Sequence, residues 1–180
     1  MGKLSVFTVG HSTHPIEVFI GLLQAHGIKE IADVRSIPMS RHNPQFNSVT
    51  LKESLRRAHI RYKHLKKLGG LRHSKKDSVN LGWRNASFRG YADYMAAPEF
   101  KQGLEELVKI AGLRKTAVMC AEAVPWRCHR SLIADALTKK GCLVRHIMSR
   151  TSATKHSLTP FLKVKKGDLV YPAPAILPVA

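Results

Sequence analysis

Apolar positions along this chain follow two rhythms. Short runs at Ser5 to Val9, Ile28 to Val34, Ile60 to Leu65, Thr116 to Ala121 and Cys142 to Met148 have the length of strands, and Ser5 to Val9 reads as a buried one. Between them the spacing becomes helical. Ile16, Phe19, Ile20 and Leu23 recur at i, i+3, i+4 and i+7 behind Pro15, with Ser12 or Thr13 placed to cap that helix and Gly27 to end it. Leu51, Leu55 and Ala58 mark a short helix. Tyr91 to Ala111 reads as one long helix with Tyr94, Met95, Leu104, Leu107 and Val108 as core positions. Cys128 to Lys140 is the last helix, closed by Gly141. Strands alternating with helices predict an α/β fold, a mostly parallel sheet of about five strands with helices on both faces. The whole chain, residues 1–180, is expected to be a single domain, with 150–180 a basic, Pro-rich C-terminal extension in which Leu169 to Tyr171 is a candidate extra strand.

From Lys66 to Gly90 neither rhythm holds. This long basic loop insertion carries Lys66, Lys67, Arg72, Lys75, Lys76, Arg84 and Arg89 against one acid, Asp77. Trp83, Phe88 and Tyr91 interleave with the cations. Aromatic faces can stack bases while cations hold phosphates, whereas the plainer reading packs those rings back on the core.

Composition adds a partner class. The formal net charge is +18 and the sequence pI is about 10.3. An imbalance of that size favours a polyanion, most often nucleic acid or another phosphate-bearing ligand. Three cysteines, Cys120, Cys128 and Cys142, make no disulfide framework. The opening apolar stretch is too short for a signal peptide, and no run approaches the ~18 residues of a membrane span. A cytoplasmic protein without a membrane partner is the expectation.

The chemistry is concentrated at Val118-Met119-Cys120-Ala121-Glu122-Ala123-Val124-Pro125-Trp126-Arg127-Cys128-His129-Arg130. A strand ends in a thiol and a carboxylate, a Pro turn follows, and a thiol, an imidazole and a guanidinium open the next helix. In open α/β sheets ligands bind beyond the carboxyl ends of the strands. Glu122 there can act as a general base or bind a polar ligand group, or it can simply pair with Arg130. Cys128 at a helix start beside Arg127 and Arg130 favours a thiolate, while Cys120 has the more apolar neighbours. The other strand ends bring His11 and Ser12, then Asp33, Arg35 and Ser36, and finally His146 to the same rim, with Arg41 on a nearby polar loop.

Two familiar thiol schemes fit poorly. In a phosphatase-type loop the arginine would stand where Trp126 is, and the glycines that wrap a phosphate are absent. For structural zinc, Cys120, Cys128 and His129 give three ligands and the spacing demands no fourth, so no metal is expected. One glycine, Gly10, after the first strand is no dinucleotide fingerprint, and no cofactor is expected.

The segments TVGHS, DVRSIPMSRHNPQF, IRYKHLKKLGG, FRGYADYM, MCAEAVPWRCHR and LTPFLKVKKGDLVYP, in that order, resemble the family called domain of unknown function 488, from Thr8 to Pro172. The resemblance implies an α/β fold and a shared pocket, but no reaction. Its signature positions are Gly10, His11, Ser12, Asp33, Arg35, Arg41, Pro44, Cys120, Glu122, Cys128, His129 and Arg130.

The reading that follows is a protein that binds nucleic acid or a nucleotide-like anion at the carboxyl edge of its sheet, with an enzymatic reaction centred on Cys120, Glu122 and His129. His11, Ser12, Asp33, Arg35, Arg41, Cys128 and Arg130 would hold the ligand. A non-catalytic nucleic-acid-binding module and a small-molecule enzyme with incidental positive charge stay open beside it.

Overall fold

The computed structural model describes residues 2–174. Five strands run parallel: β1 (Ser5–Gly10), β2 (Glu30–Asp33), β3 (Arg61–His64), β4 (Thr116–Cys120) and β5 (Leu143–Ile147). A sixth, β6 (Ala153–Lys155), pairs antiparallel with β5, giving the order β3-β2-β4-β1-β5-β6. Side chains alternate across each strand. Phe7, Val9, Ile31, Ala117 and Met119 face one layer with α1 (Ile16–Ala25) and α2 (Ser48–Arg57). Val6, Ala32, Val118 and Cys120 face the other, with α3 (Ala86–Tyr94), α4 (Pro98–Leu113) and α5 (Arg130–Lys139). The α/β architecture expected from the alternation is present, with one more strand than the apolar runs reveal.

The topology places a crevice. β1 and β4 are neighbours, yet the chain leaves β1 through α1 on one face of the sheet and leaves β4 through α5 on the other. Diverging connections open a gap at the carboxyl ends of these two strands. Gly10 sits at its base: any side chain there would collide with the backbone carbonyl of Glu122, so only glycine lets the β4–α5 turn cross the end of β1.

Three local expectations are corrected. The single helix over Tyr91 to Ala111 is two helices, because Pro98 cannot donate an N–H in a helix interior and instead starts α4. Neither Ser12 nor Thr13 caps α1; Pro15 is the N-cap, and Ser12 adopts a positive φ of 48°. The Lys66–Gly90 stretch opens with a short 3-10 turn, Lys66–Leu68, then runs without helix or strand to Ala86, but it is tied down. The Asp93 carboxylate accepts from Lys75 N, Ser78 Oγ and Asn80 Nδ2 at 2.6–2.8 Å. Trp83 packs on Phe88, Phe161 and Tyr171, and Tyr91 is fully buried, so these rings stack inward.

Residues 153–171 are built into the fold. After β6, the hairpin β7 (Lys163–Lys165) and β8 (Asp168–Val170) brings Tyr171 into the core beneath α5. The remainder of the Pro-rich end, from residue 175, lies outside the described residues.

Candidate functional site

A cleft of about 730 Å³ opens at the diverging connections. The turn after β4 supplies Cys120 and Glu122, the start of α5 supplies Cys128 and His129, and the ends of β1 and β2 supply His11, Ser12, Arg35 and Ser36. Side chains far apart in sequence thus meet because parallel strands end together.

His129 lies between two thiols. Its Nε2 is 2.9 Å from the Val34 carbonyl, which only accepts, so Nε2 carries a proton. Its Nδ1 faces Cys120 Sγ at 3.9 Å and Cys128 Sγ at 3.8 Å, and is the atom that can exchange a proton with them. The ring is held between Tyr91, with centroids 4.9 Å apart, and Gly70, where a side chain would collide with Nδ1.

The two thiols are not equivalent. Cys128 Sγ accepts from Arg130 N at 3.3 Å and from Arg130 Nε at 3.4 Å. Burial opposes its ionisation, but hydrogen bonding with Cys120 and His129 and the positive charge of His129 and Arg130 outweigh burial and hold Cys128 well below the ordinary thiol range. Hydrogen bonding to Cys128 and burial push Cys120 up. The pair therefore carries one negative charge, centred on Cys128.

Arg130 is buried, and its guanidinium does not pair with the Glu122 carboxylate. Nη2 donates instead to the Glu122 and Ala123 backbone carbonyls, and Nη1 to Thr8 Oγ1 at 3.4 Å. Glu122 is exposed in the cleft wall, and among the described residues it forms no salt bridge. Behind Thr8 runs a buried chain. Thr8 Oγ1 lies 2.7 Å from His146 Nδ1, His146 Nε2 lies 2.9 Å from His156 Nδ1, and His156 Nε2 lies 2.9 Å from Asp135 Oδ1. Burial, followed by the nearby His156 and Arg130, lowers His146 to about 4, so it is neutral at physiological pH. His146 belongs to this chain and not to the rim where its strand position placed it.

On the other side of the sheet end, Arg35 is largely spent. Nε and Nη2 grip the fully buried Asp33, Nη2 also reaches the Phe46 carbonyl, and Nη1 approaches His11 Nε2 at 3.3 Å. Of the five guanidinium N–H donors, one on Nη1 is left for the cleft. Asp33 also accepts from Tyr62 OH at 2.8 Å and lies behind the wall. His11 donates from Nδ1 to the Ser12 carbonyl and stacks on Phe46; burial is the main cause that lowers it to about 4. His11 is thus neutral with both ring nitrogens occupied. Arg41 is exposed on its loop and does not line the cleft.

Of the residues expected from sequence, His11, Ser12, Arg35, Cys120, Glu122, Cys128 and His129 line one cleft, whereas Asp33, Arg41 and Arg130 do not. Thr8, Gly70, Asp135 and His156 also shape the site; Thr8 and Gly70 stand in the segments TVGHS and IRYKHLKKLGG, whereas Asp135 and His156 carry no motif signal. Their neighbours in sequence are ordinary core or loop residues, and only packing joins them. Cys120, Cys128 and His129 offer three metal-ligating atoms within 4.8 Å of one another. The buried Arg130 cation against Cys128 already neutralises the one negative charge there and opposes a divalent ion.

The model of the family described as Domain of unknown function DUF488 matches residues 15–137, a stretch that starts after His11 and stops before His146. Neither curated proteins nor solved structures gave a match.

Proposed function

The chain belongs to that family, and we propose that it is a cysteine-dependent enzyme whose Cys128 acts on nucleic acid or a nucleotide-like ligand at the carboxyl edge of the sheet. One observation carries the reading: Cys128 Sγ, facing the cleft, is held by two N–H groups of a buried arginine that has no carboxylate partner among the described residues. A thiolate so held is an activated nucleophile. His129 Nδ1 takes the thiol proton and returns it to the departing group as the sulfur bonds to an electrophilic centre. Water, losing a proton to the same nitrogen or to Glu122, then cleaves the adduct and restores the thiol. The sequence leaves Cys120 and Cys128 both open as the reactive thiol; in this scheme Cys128 reacts and Cys120 supports it by hydrogen bonding. The reaction invokes no metal or cofactor. Three free cysteines suit a reducing compartment, the cytoplasm, and no helix of the described residues is long and apolar enough to cross a membrane.

Iodoacetamide alkylation followed across pH by mass spectrometry tests this reading. The parent and Cys120→Ser proteins are expected to react at Cys128 with an acid-shifted profile that a chelator leaves unchanged. An ordinary thiol profile at Cys128, or no reaction in the folded protein, would return the site to a non-catalytic binding module.

A further inference from the structure

We infer that the cleft receives the base of an unpaired nucleotide in a polynucleotide strand, base first, with the phosphates left outside on the rim. The inference rests on the reading of the cleft as a nucleic-acid or nucleotide site and names which part of the ligand enters. It begins from the count of donors. A phosphate entering the floor would need unspent cations, but Arg130 is buried behind the wall and bound to backbone carbonyls, and Arg35 keeps a single N–H after Asp33, Phe46 and His11. The floor also presents the Glu122 carboxylate, which repels an anion. What the floor offers is acceptors and a few N–H and O–H groups, matched to the amino and ring nitrogens of a base edge.

The mouth is apolar. Ile37, Met39 and Leu71 line the opening and are 63%, 70% and 72% exposed, large side chains that face water with no covering partner among the described residues. Phe88, half-buried, completes the lip. Apolar side chains of this kind can sandwich an extruded base without reading its identity. A volume of about 730 Å³ lies within the range of small-ligand sites and admits a nucleoside.

Cations stand around the lip. Arg41 follows Ser40 and Arg84 precedes Ser87 and Phe88, both exposed, and the exposed Arg127 lines the cleft beside the thiol turn. The wider surface is more basic than the composition implies. Four of the twelve acids, Glu30, Asp33, Asp93 and Asp135, are buried, but only two of the thirty basic side chains, Arg35 and Arg130. Twenty-eight basic groups therefore face eight acids at the surface. A strand whose phosphates run over that rim while one base enters the cleft satisfies both the acceptor-rich floor and the cationic exterior; a free phosphate or nucleoside alone satisfies one of them.

Fluorescence anisotropy with a labelled mixed-sequence single strand, as DNA and as RNA, tests this against the same DNA backbone carrying abasic sites. Expected is salt-dependent binding of at least one intact strand that weakens about tenfold without bases. A Met39→Ser/Leu71→Ser protein should bind the intact strand about tenfold more weakly and the abasic backbone as the parent does. Equal parent affinity for intact and abasic strands, or an equal loss for both in the variant, overturns the inference. Binding is read without reference to thiol reactivity. A parent that alkylates with an acid-shifted profile yet ignores bases refutes base-first entry alone, and one that binds bases but has an ordinary Cys128 refutes the catalytic reading alone.

Discussion

His156 lies beyond the matched stretch, yet the site is built on it, and replacing it with alanine should be costly. Its Nε2–H donates to Asp135 Oδ1 and its Nδ1 meets His146 Nε2, both at 2.9 Å. Asp135 is fully buried and also accepts from Thr159 N and Oγ1 and from Tyr171 OH, so its charge is spread over donors supplied by the C-terminal segment. Removing His156 deletes one hydrogen bond to a buried carboxylate, about 1.5–3 kcal/mol, and orphans a buried nitrogen of His146, about 1–3 kcal/mol. A loss of roughly 3–5 kcal/mol lowers Tm by about 6–20 °C at this chain length. Differential scanning calorimetry of His156→Ala beside the exposed control His42→Ala reads this directly; the control should stay within about 0.5 kcal/mol. Thr8→Val combined with His156→Ala should depart from additivity by more than about 0.5 kcal/mol, since the two residues do not touch but share His146. A His156→Ala protein melting within about 2 °C of the parent would refute the reasoning.

Arg130→Met removes a unit charge 3.4 Å from Cys128 Sγ, worth about 5 kcal/mol at an effective dielectric constant of ~20. The more basic thiolate is a better nucleophile, which offsets about half of that effect, so alkylation below both titrations should slow about a hundredfold; an unchanged rate in a protein of native circular dichroism counts against the pair. Gly70→Ala should displace the His129 ring, because the new methyl would collide with Nδ1, and so slow alkylation of Cys128 while Tm falls by only a few degrees; a parent-like pH profile would mean that the ring does not act on the thiols. Burial lowers both His11 and His146 from 6.5 to about 4 in the fold. The unfolded chain then takes up protons first as pH falls. Stability should drop between about pH 6.5 and 4 by roughly 2–3 kcal/mol per histidine, less for His11, which water reaches from the cleft. Urea unfolding at pH 7 and pH 5 should show this, and His146→Asn should remove part of the slope; equal slopes in both proteins contradict it.

The inner strands were legible because both their faces are buried, and the edge strand β3, partly exposed, was placed by its flanking Ile60 and Leu65. Val6 to Val9 and Ala117 to Met119 are apolar because helices cover each side, and continuous apolar runs record that. β6 and the β7–β8 hairpin were not, apart from Leu169 to Tyr171, because Ala153–Lys155 and Lys163–Lys165 are short, polar and mostly exposed, so no period marks them. The gathering of His11, Arg35, Glu122, Cys128 and His129 followed from the carboxyl-edge rule once the strands were placed. What each side chain does there did not follow. Residue type says that an arginine has five donors, and only the fold says how many are already used.

Arg35 and Arg130 show the consequence. In sequence both stand where an anion clamp would, at a strand end and a helix start. In the fold Arg35 lines the cleft but spends all but one of its N–H groups on Asp33, Phe46 and His11, stiffening the β2 connection, and Arg130 has turned away to fix the β4–α5 turn and hold Cys128. An arginine whose donors are spent inside the protein still acts on the cleft, but through the charge it lends a neighbour and not through a ligand contact. The same burial that removes it from ligand binding strengthens that electrostatic action, because less water screens it. The thiolate character of Cys128 and the unsuitability of the floor for phosphate thus have one cause, and an anion entering beside Cys128 would have to overcome it.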